Sequence, residues 1–269
     1  MKARDIALLI EHYAPLSYQE EWDNCGVQVG RLDTTEVTGV LLCTDVTPAV
    51  IAEAVRRGMN MIISHHPLIF HGLKKIAGRT LVEDMVEQAI KHDLVIYSAH
   101  TNMDNTPLGV SWHMAHKLGM TQIEVLDPHP MPEPATTSQA SPSMGCGVVG
   151  NVEPTPMSEW LKKLKATFEV GAVRVAGDTS GTVRRVALCG GAGGFLIDKA
   201  IKARADVYVT ADLRYHDFLE NNHRIVLADI GHYESEHYTK ELFYDIIQEK
   251  SPNFAVAFAT DENNQINYL

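Results

Sequence analysis

The chain has 269 residues, of which 45% are hydrophobic and 21% charged, with a formal net charge of −11 and 13 histidines. That length holds one large domain or two ordinary ones, and the composition is that of a globular protein. The acidic balance disfavours broad, non-specific phosphate-backbone binding, so nucleic acid is not an expected partner, and the absence of any run of about 18 apolar residues excludes a membrane-spanning helix.

Ile6, Leu9, Ile10 and Tyr13 fall at helical spacing and Pro15 ends the pattern, which predicts a surface helix. Charge interrupts this stretch too often for a signal peptide, so the expected compartment is the cytoplasm. Cys25, Cys43, Cys146 and Cys189 form no CxxC pair and read as reduced thiols, with Cys43 and Cys189 inside apolar runs as core residues. Glu20–Gly30 reads as a turn leading into a short strand. Val37–Cys43 is a strand, followed by Thr44 and Asp45. Thr47 caps a helix with Pro48 at its first position and Gly58 past its end, and Val50, Ile51, Ala54 and Val55 are its apolar stripe.

The stretch Met59–Phe70 comes next. Met61–Ile63 is a buried strand, and His65 and His66 stand at its carboxyl end before Pro67. This β-α-β pattern implies parallel neighbours and a right-handed crossover. Thr80 and Glu83 suggest a capping box for a helix through Lys91, and Leu94–Tyr97 is another strand, leading into Ser98–Asp104. A helix is expected from about Pro107 to Leu118.

Residues 127–147 are rich in proline and serine without periodicity, and read as a linker or exposed loop. A second α/β series follows. It comprises helix Ser158–Phe168, strand Val183–Cys189, glycine turn Gly190–Gly194, helix Phe195–Arg204, strand Val207–Thr210, short helix Tyr215–Asn221 and strand Ile225–Ala228. A helix from about Glu234 to Gln248 and a last strand, Phe254–Phe258, complete it. The expected fold is α/β, with two α/β lobes whose sheets are mixed and largely parallel. The first lobe is expected over 1–126 plus 226–269, and the second over 127–225.

Groups with ligand chemistry recur at strand ends, where open α/β sheets bind ligands. They are His65 and His66, then His100 and Asp104, then His232 with Glu236 four residues on, which a helix would place on one face. Imidazole with carboxylate suits Zn, Mn or Fe better than Mg or Ca, and a carboxylate such as Asp104 can bridge two ions. Each residue also has a purely structural reading: His65, His66 and His100 as turn residues bonded to neighbours, Asp104 as a turn cap, Glu236 as a helix-dipole partner. Gly190–Gly194 could cradle an anion, but Leu196 breaks the GxGxxG spacing and a tight turn or close contact is the competing reading. Lys74, Lys75 and Arg79 could meet a phosphate or form a solvated charge cluster. No GxSxG, HExxH or P-loop is present.

Several segments together resemble one family. They are Glu21–Gly30 (EWDNCGVQVG), Ser64–Phe70 (SHHPLIF), Ala99–Asp104 (AHTNMD), the Cys189–Gly194 turn, Asp206–Asp212, and Gly231-His232 with Glu236. The chain resembles the GTP cyclohydrolase 1 type 2 homologues, also called the Nif-three-like family, from its N-terminal helix to its last. The resemblance implies a dinuclear metal site between the two lobes, holding two divalent ions per chain. It implies His65, His66, Asp104, His232 and Glu236 as ligands, with His100 beside the ions, supporting a ligand or touching a water; an imidazole there is the candidate catalytic base or acid. It further implies a homo-oligomer, a hexameric ring, and a compact form without a large inserted domain. The activity it suggests is hydrolysis of a phosphorylated, nucleotide or cyclic-amide small molecule by a metal-activated water. A non-enzymatic metal-binding assembly or regulatory interaction protein is the alternative.

Overall fold

The structure is a computed structural model and describes residues 1–130 and 144–268. In chain order it forms α1 (Ala3–Tyr13), β1 (Gly26–Val29), β2 (Val40–Cys43), α2 (Pro48–Arg56), β3 (Met61–Ser64), α3 (Leu81–Lys91), β4 (Val95–Ser98) and α4 (Thr101–Asn105). Then come α5 (Val110–Lys117), β5 (Thr121–Pro128), β6 (Gly145–Pro156), α6 (Met157–Thr167), β7 (Arg174–Ala176), β8 (Thr182–Ala192), α7 (Ile197–Lys202) and β9 (Val207–Ala211). The series ends with α8 (Tyr215–Asn221), β10 (Val226–Asp229), α9 (His232–Glu236), α10 (Thr239–Lys250) and β11 (Val256–Phe258).

One compact unit comprises Met1–Thr106 and Thr239–Gln265. Its sheet has the order β1-β4-β3-β2-β11, parallel except for β1, which lies antiparallel on the β4 edge. Strands β2, β3 and β4 read VLLC, MIIS and VIYS and are buried at every position, as expected of parallel strands covered on both faces. Helix α2 starts where the sequence predicts: the Thr47 hydroxyl accepts from the Val50 N–H at 3.2 Å, with Pro48 first in the helix. Its Val50, Ile51 and Ala54 join Met85, Val86 and Ala89 of α3 against Leu41, Ile62 and Ile96 of the sheet. The capping box of α3 forms only by half. Thr80 accepts from the Glu83 N–H, but the Glu83 carboxylate turns to the N–H groups of Ala77 and Arg79 in the preceding loop.

The chain end is tied into this unit by a buried carboxylate. Glu53 of α2 is wholly inaccessible to solvent. It accepts from Arg57, from the Thr260 N–H and hydroxyl, and from the Asp261 N–H at 2.7–3.1 Å.

The other unit comprises Pro107–Tyr238 and the chain end from Ile266. Its sheet has the order β5-β6-β8-β9-β10-β7. The pairs β8–β9 and β9–β10 are parallel, whereas β5–β6, β6–β8 and β10–β7 are antiparallel. On one face Trp160, Leu164 and Phe168 at the α6 end meet Val186, Leu188 and Val209. On the other, Ile197 and Ala200 of α7 pack with Tyr208 and Leu227.

The boundaries differ from the sequence expectation of 1–126 plus 226–269 and 127–225. Strand β5 pairs with β6, and Val226–Asp229 pairs with β9 and β7, so both stretches belong to the second sheet. Periodicity identifies strands without naming their partners. The loop expected over 127–147 is bounded by strands on both sides, β5 running to Pro128 and β6 starting at Gly145; residues 131–143 lie outside the described residues. Strand β6, GCGVVGNVEPTP, is missed by propensity because of its glycines and prolines. Its register shifts between Asn151 and Thr155, which accommodates Pro154, a residue without a ladder N–H. The single helix expected over 234–248 is two, α9 and α10, separated at His237 and Tyr238.

The hydrogen bonds to Glu53 generate a pH prediction. Burial alone would raise its pKa, but donation from Asp261, Arg57 and Thr260 holds the carboxyl below the usual glutamate range. A depressed folded-state pKa contributes stability above the unfolded value of about 4.3 and loses it as pH falls below. Glu53→Gln is expected to cost about 1.5–3 kcal/mol at pH 7. Urea unfolding should show the difference from wild type shrinking as pH drops from about 4.5 towards 3.

Candidate metal centre

In the first unit the sheet register sets the site. Cys43, Ser64 and Ser98, the last residues of β2, β3 and β4, are side by side across the parallel ladder. The residues that follow them therefore emerge at one carboxyl edge: Asp45 after β2, His65 and His66 after β3, His100 after β4. The backbone continues the pairing, with His65 N–H donating to the Cys43 carbonyl, His66 N–H to that of Thr44 and Ala99 N–H to that of Ser64. The buried Ser64 and Ser98 hydroxyls both reach the His66 carbonyl, at 2.8 and 3.2 Å.

Each of the three imidazoles is held through Nδ1. His65 Nδ1 lies 3.0 Å from the Ala99 carbonyl, His66 Nδ1 2.8 Å from Asp45 Oδ1, and His100 Nδ1 2.9 Å from Asp23 Oδ1. A carbonyl or carboxylate oxygen only accepts, so Nδ1 is the donor in each of these contacts. Donor atoms of His65, His66 and His100 lie within 4.8 Å of one another. His65 is fully buried, and its Nε2 lies 3.7 Å from Asp104 Oδ1 on α4, the short helix that begins just after His100. Two donors on one tetrahedral ion at 2.0–2.1 Å stand about 3.3 Å apart, so this spacing fits an ion between them with little adjustment.

Asp23 is the anchor of His100. Its side chain is inaccessible to solvent. It also accepts from the Thr101 N–H and hydroxyl and from the Cys25 thiol. Burial works to raise its pKa, yet the bonds from His100 and Thr101 hold the carboxyl far below the usual carboxylate range. Asp23 is thus a fixed negative charge behind the His100 ring. The Cys25 thiol, buried beside it, is pushed up to about 12 and stays protonated.

In the second unit His232 and Glu236 lie one turn apart on α9. His232 Nε2 is 3.0 Å from Glu236 Oε2, and its Nδ1 is 2.7 Å from Asp212 Oδ2. An imidazole flanked by two carboxylates, one at each nitrogen, calls for a cation on the Glu236 side, either a proton or a metal ion. Asp212, just past β9, has a φ of 57°, a left-handed conformation that costs a non-glycine residue about 1 kcal/mol or more. Gly191 explains the glycine turn. It has a φ of 61°, and a Cβ there would run into the Glu236 carboxylate. The turn's N–H groups at Gly190, Gly191 and Gly193 already donate to the Ser111, Ser235 and Thr210 hydroxyls. The turn is therefore a close-approach device, and the anion-cradle reading loses these three donors.

All six sequence candidates are thus gathered into two sets. His65, His66, His100 and Asp104 meet in the first unit, and His232 and Glu236 in the second. Nitrogen donors backed by carboxylates, with carboxylate co-ligands, fit a divalent transition metal. Sequence reading missed the anchors Asp23, Asp45 and Asp212. The available signal was position, since Asp45 and Asp212 directly follow strands that carry candidates or adjoin them. Asp23 had no such signal, because only the fold brings it to His100. Among the basic residues, Arg79 reaches Glu83 at 3.3 Å, while Lys74 and Lys75 are exposed.

The fold is that of an α/β protein with histidines and acidic residues gathered at the carboxyl edge of a parallel sheet, a set that could hold a metal ion. The sequence profile of the Duf34/NIF3 (NGG1p interacting factor 3) family matches residues 1–265, and the chain belongs to that family. A Lactococcus lactis protein named GTP cyclohydrolase 1 type 2 homolog is 32% identical over 268 residues, covering 98% of this chain and 97% of that protein. A Clostridium perfringens protein of the same name is 33% identical over 239 residues, covering 88% of this chain and 87% of that one. The crystal structure of a Staphylococcus aureus protein superposes with a TM-score of 0.89 at 28% identity, over 100% of this chain and 99% of that one. That of a Bacillus cereus protein related to NIF3 gives 0.90 at 24% identity, over 100% and 99%, and shows the same fold. Among the described residues no helix is long and apolar enough to cross a membrane.

Asp45→Ala and Asp212→Ala should each weaken metal affinity about 10–100-fold, because the imidazole they orient becomes free to rotate and change tautomer. Competition with a chromophoric chelator measures this. Gly191→Ala should displace Glu236 and lower metal content without touching a ligand directly, read by elemental analysis of the purified variant.

Proposed function

We propose that the chain binds two divalent metal ions and acts as a metal-dependent hydrolase on a phosphorylated, nucleotide or cyclic-amide small molecule. The ligands in this reading are His65, His66 and Asp104 together with His232 and Glu236. The observation that carries it is the arrangement of the histidines: Nδ1 of His65, His66, His100 and His232 each lies against an oxygen acceptor, and donor atoms of His65, His66 and His100 lie within 4.8 Å of one another. The mixed nitrogen and oxygen set suits Zn, Mn or Fe.

When bound, such ions supply Lewis acidity and lower the pKa of a coordinated water. The chain's own residues then divide the remaining work. Asp104 and Glu236 bring negative charge that partly neutralises the ions, and the buried His65 fixes the deepest position. His100 combines a ring at the rim of the histidine cluster with a permanently ionised Asp23 behind its Nδ1. That charge stabilises the ring when Nε2 takes up a proton from an attacking water. The same Nε2 can then deliver the proton to the departing group, which balances the hydrolysis. We also infer a homo-oligomeric ring, on the strength of the family resemblance, and mass measurement by light scattering tests it.

A second reading is a metal-binding interaction module without turnover, which the family description as an interacting factor favours. The two are separated by one set of variants. Wild-type protein should contain about two ions per chain. His65→Ala combined with Asp104→Ala should lose metal and hydrolysis together. His100→Ala should keep its metal and lose about 10²–10⁴-fold in hydrolysis across a panel of phosphoesters, nucleotides and cyclic amides. Full metal content with no hydrolysis in wild type would favour the interaction module, and metal-free protein would sink both.

A further inference from the structure

We propose that Glu262 is a positioning residue of the candidate metal centre. Held by Lys240, it fixes the turn at Thr44 and Asp45 and, through that turn, the orientation of the His66 ring. This rests on the reading of His66 as a metal ligand, and it names a further residue on which that site depends.

His66 meets the turn twice. Its N–H donates to the Thr44 carbonyl at 2.9 Å, and its Nδ1 lies 2.8 Å from Asp45 Oδ1. The backbone and the ring of His66 therefore depend on the same two residues. The Asp45 side chain is 48% exposed, so burial does little to place it. Its carboxylate is aimed only as well as its backbone is held, and the turn lies beyond Cys43, the last residue of β2.

Glu262 supplies that hold from the far end of the chain. Its Oε1 accepts from the Thr44 N–H at 2.6 Å and from the Asp45 N–H at 2.8 Å, across 218 and 217 positions of sequence. Its Oε2 accepts from Lys240 Nζ at 2.5 Å. The Glu262 side chain is 1% exposed and that of Lys240 15%. All these residues belong to one compact unit. A buried carboxylate is costly unless its oxygens are satisfied, and here two N–H groups and an ammonium satisfy them. Two donors on one oxygen and a cation on the other leave the carboxylate no freedom to turn. A buried ion pair adds little stability over apolar packing. What this one adds is a fixed direction for the two N–H groups that carry the partners of His66.

Glu83 offers the comparison within the same unit. It too is buried, and it accepts from two backbone N–H groups, of Ala77 and Arg79, and from the Arg79 guanidinium. Its loop carries none of the residues gathered at the carboxyl edge. Removing either carboxylate should cost stability, but only the loss of Glu262 should reach His66.

The test measures metal affinity of the full chain by competition for Zn with a chromophoric chelator, below the unfolding temperature of each variant. Glu262→Ala should weaken affinity about tenfold, and adding it to Asp45→Ala should change affinity by less than about threefold, since both act through one anchor. Glu262→Gln keeps an oxygen for the two N–H groups but turns an amide NH2 towards the Lys240 ammonium. It should weaken affinity, and Lys240→Met added to it should restore affinity. Glu83→Gln should leave affinity unchanged while lowering the unfolding temperature. A second measurement needs no metal. In chelator-treated protein, at a pH above the ordinary histidine range, the ¹⁵N shifts of the His66 ring should report a proton on Nδ1 in wild type and a mixture of tautomers in Glu262→Ala. Unchanged affinity and unchanged ring shifts in a folded Glu262→Ala would overturn the proposal. So would additive losses with Asp45→Ala, or a loss in Glu83→Gln equal to that in Glu262→Ala. If Glu262→Ala does not fold, failure of Lys240→Met to rescue Glu262→Gln overturns it instead. Wild-type protein that binds no Zn would sink the metal reading alone, because the His66 ring shifts decide the positioning role separately.

Discussion

The imidazole tautomer is the constraint on which the candidate site depends. A neutral histidine can offer a metal only the nitrogen that lacks the proton. In this chain the choice is made by oxygen acceptors placed behind the rings: Ala99 behind His65, Asp45 behind His66, Asp23 behind His100 and Asp212 behind His232. Three of those acceptors are carboxylates, which fix the tautomer and orientation of the ring they hold. A buried carboxylate such as Asp23 is costly unless its oxygens are satisfied, and here His100, Thr101 and Cys25 satisfy them. The orientation of the rings is thus built into hydrogen bonds within the chain.

Those acceptors are delivered by regular structure. Parallel strands in register bring their carboxyl ends to one edge, so Asp45, His65, His66 and His100 arrive together although they span more than fifty positions of sequence. Buried strands hold that register, and the buried Ser64 and Ser98 hydroxyls, 2.8 Å apart, tie the carboxyl ends of β3 and β4 to each other. In the second unit the same economy appears on a helix. One turn of α9 sets His232 against Glu236, and a glycine at position 191 lets strand β8 approach the carboxylate where any side chain would collide. The left-handed Asp212 is the local strain that this precision requires.

Burial sorts the histidines by role. His65 has no solvent exposure, while the half-buried His100 packs edge-on against the exposed Trp22 and Phe70. A proton-transferring group must be reachable by its substrate, and a ligand need not be. Trp22 and Asp23 are neighbours in the chain, so the residue that meets the His100 ring edge-on sits beside the one that holds its Nδ1.

Much of this was legible in the sequence. Alternation of apolar strands and amphipathic helices determined the α/β class, Thr47 and Pro48 determined where α2 begins, and the motifs around His65, His100 and His232 marked the candidate donors and the family. These features are local: each depends on residues within one turn or one strand. Tertiary structure alone decided the rest. Strand β6 hid behind its prolines and glycines, and β10 joined a sheet other than the one expected, because pairing is settled by long-range register and burial. Asp23 reached His100 across 77 positions, a contact no spacing rule announces. The sequence by itself determined which residues have metal-ligand chemistry; the fold decided which nitrogen of each is held by an oxygen acceptor, because those acceptors are distant in the chain.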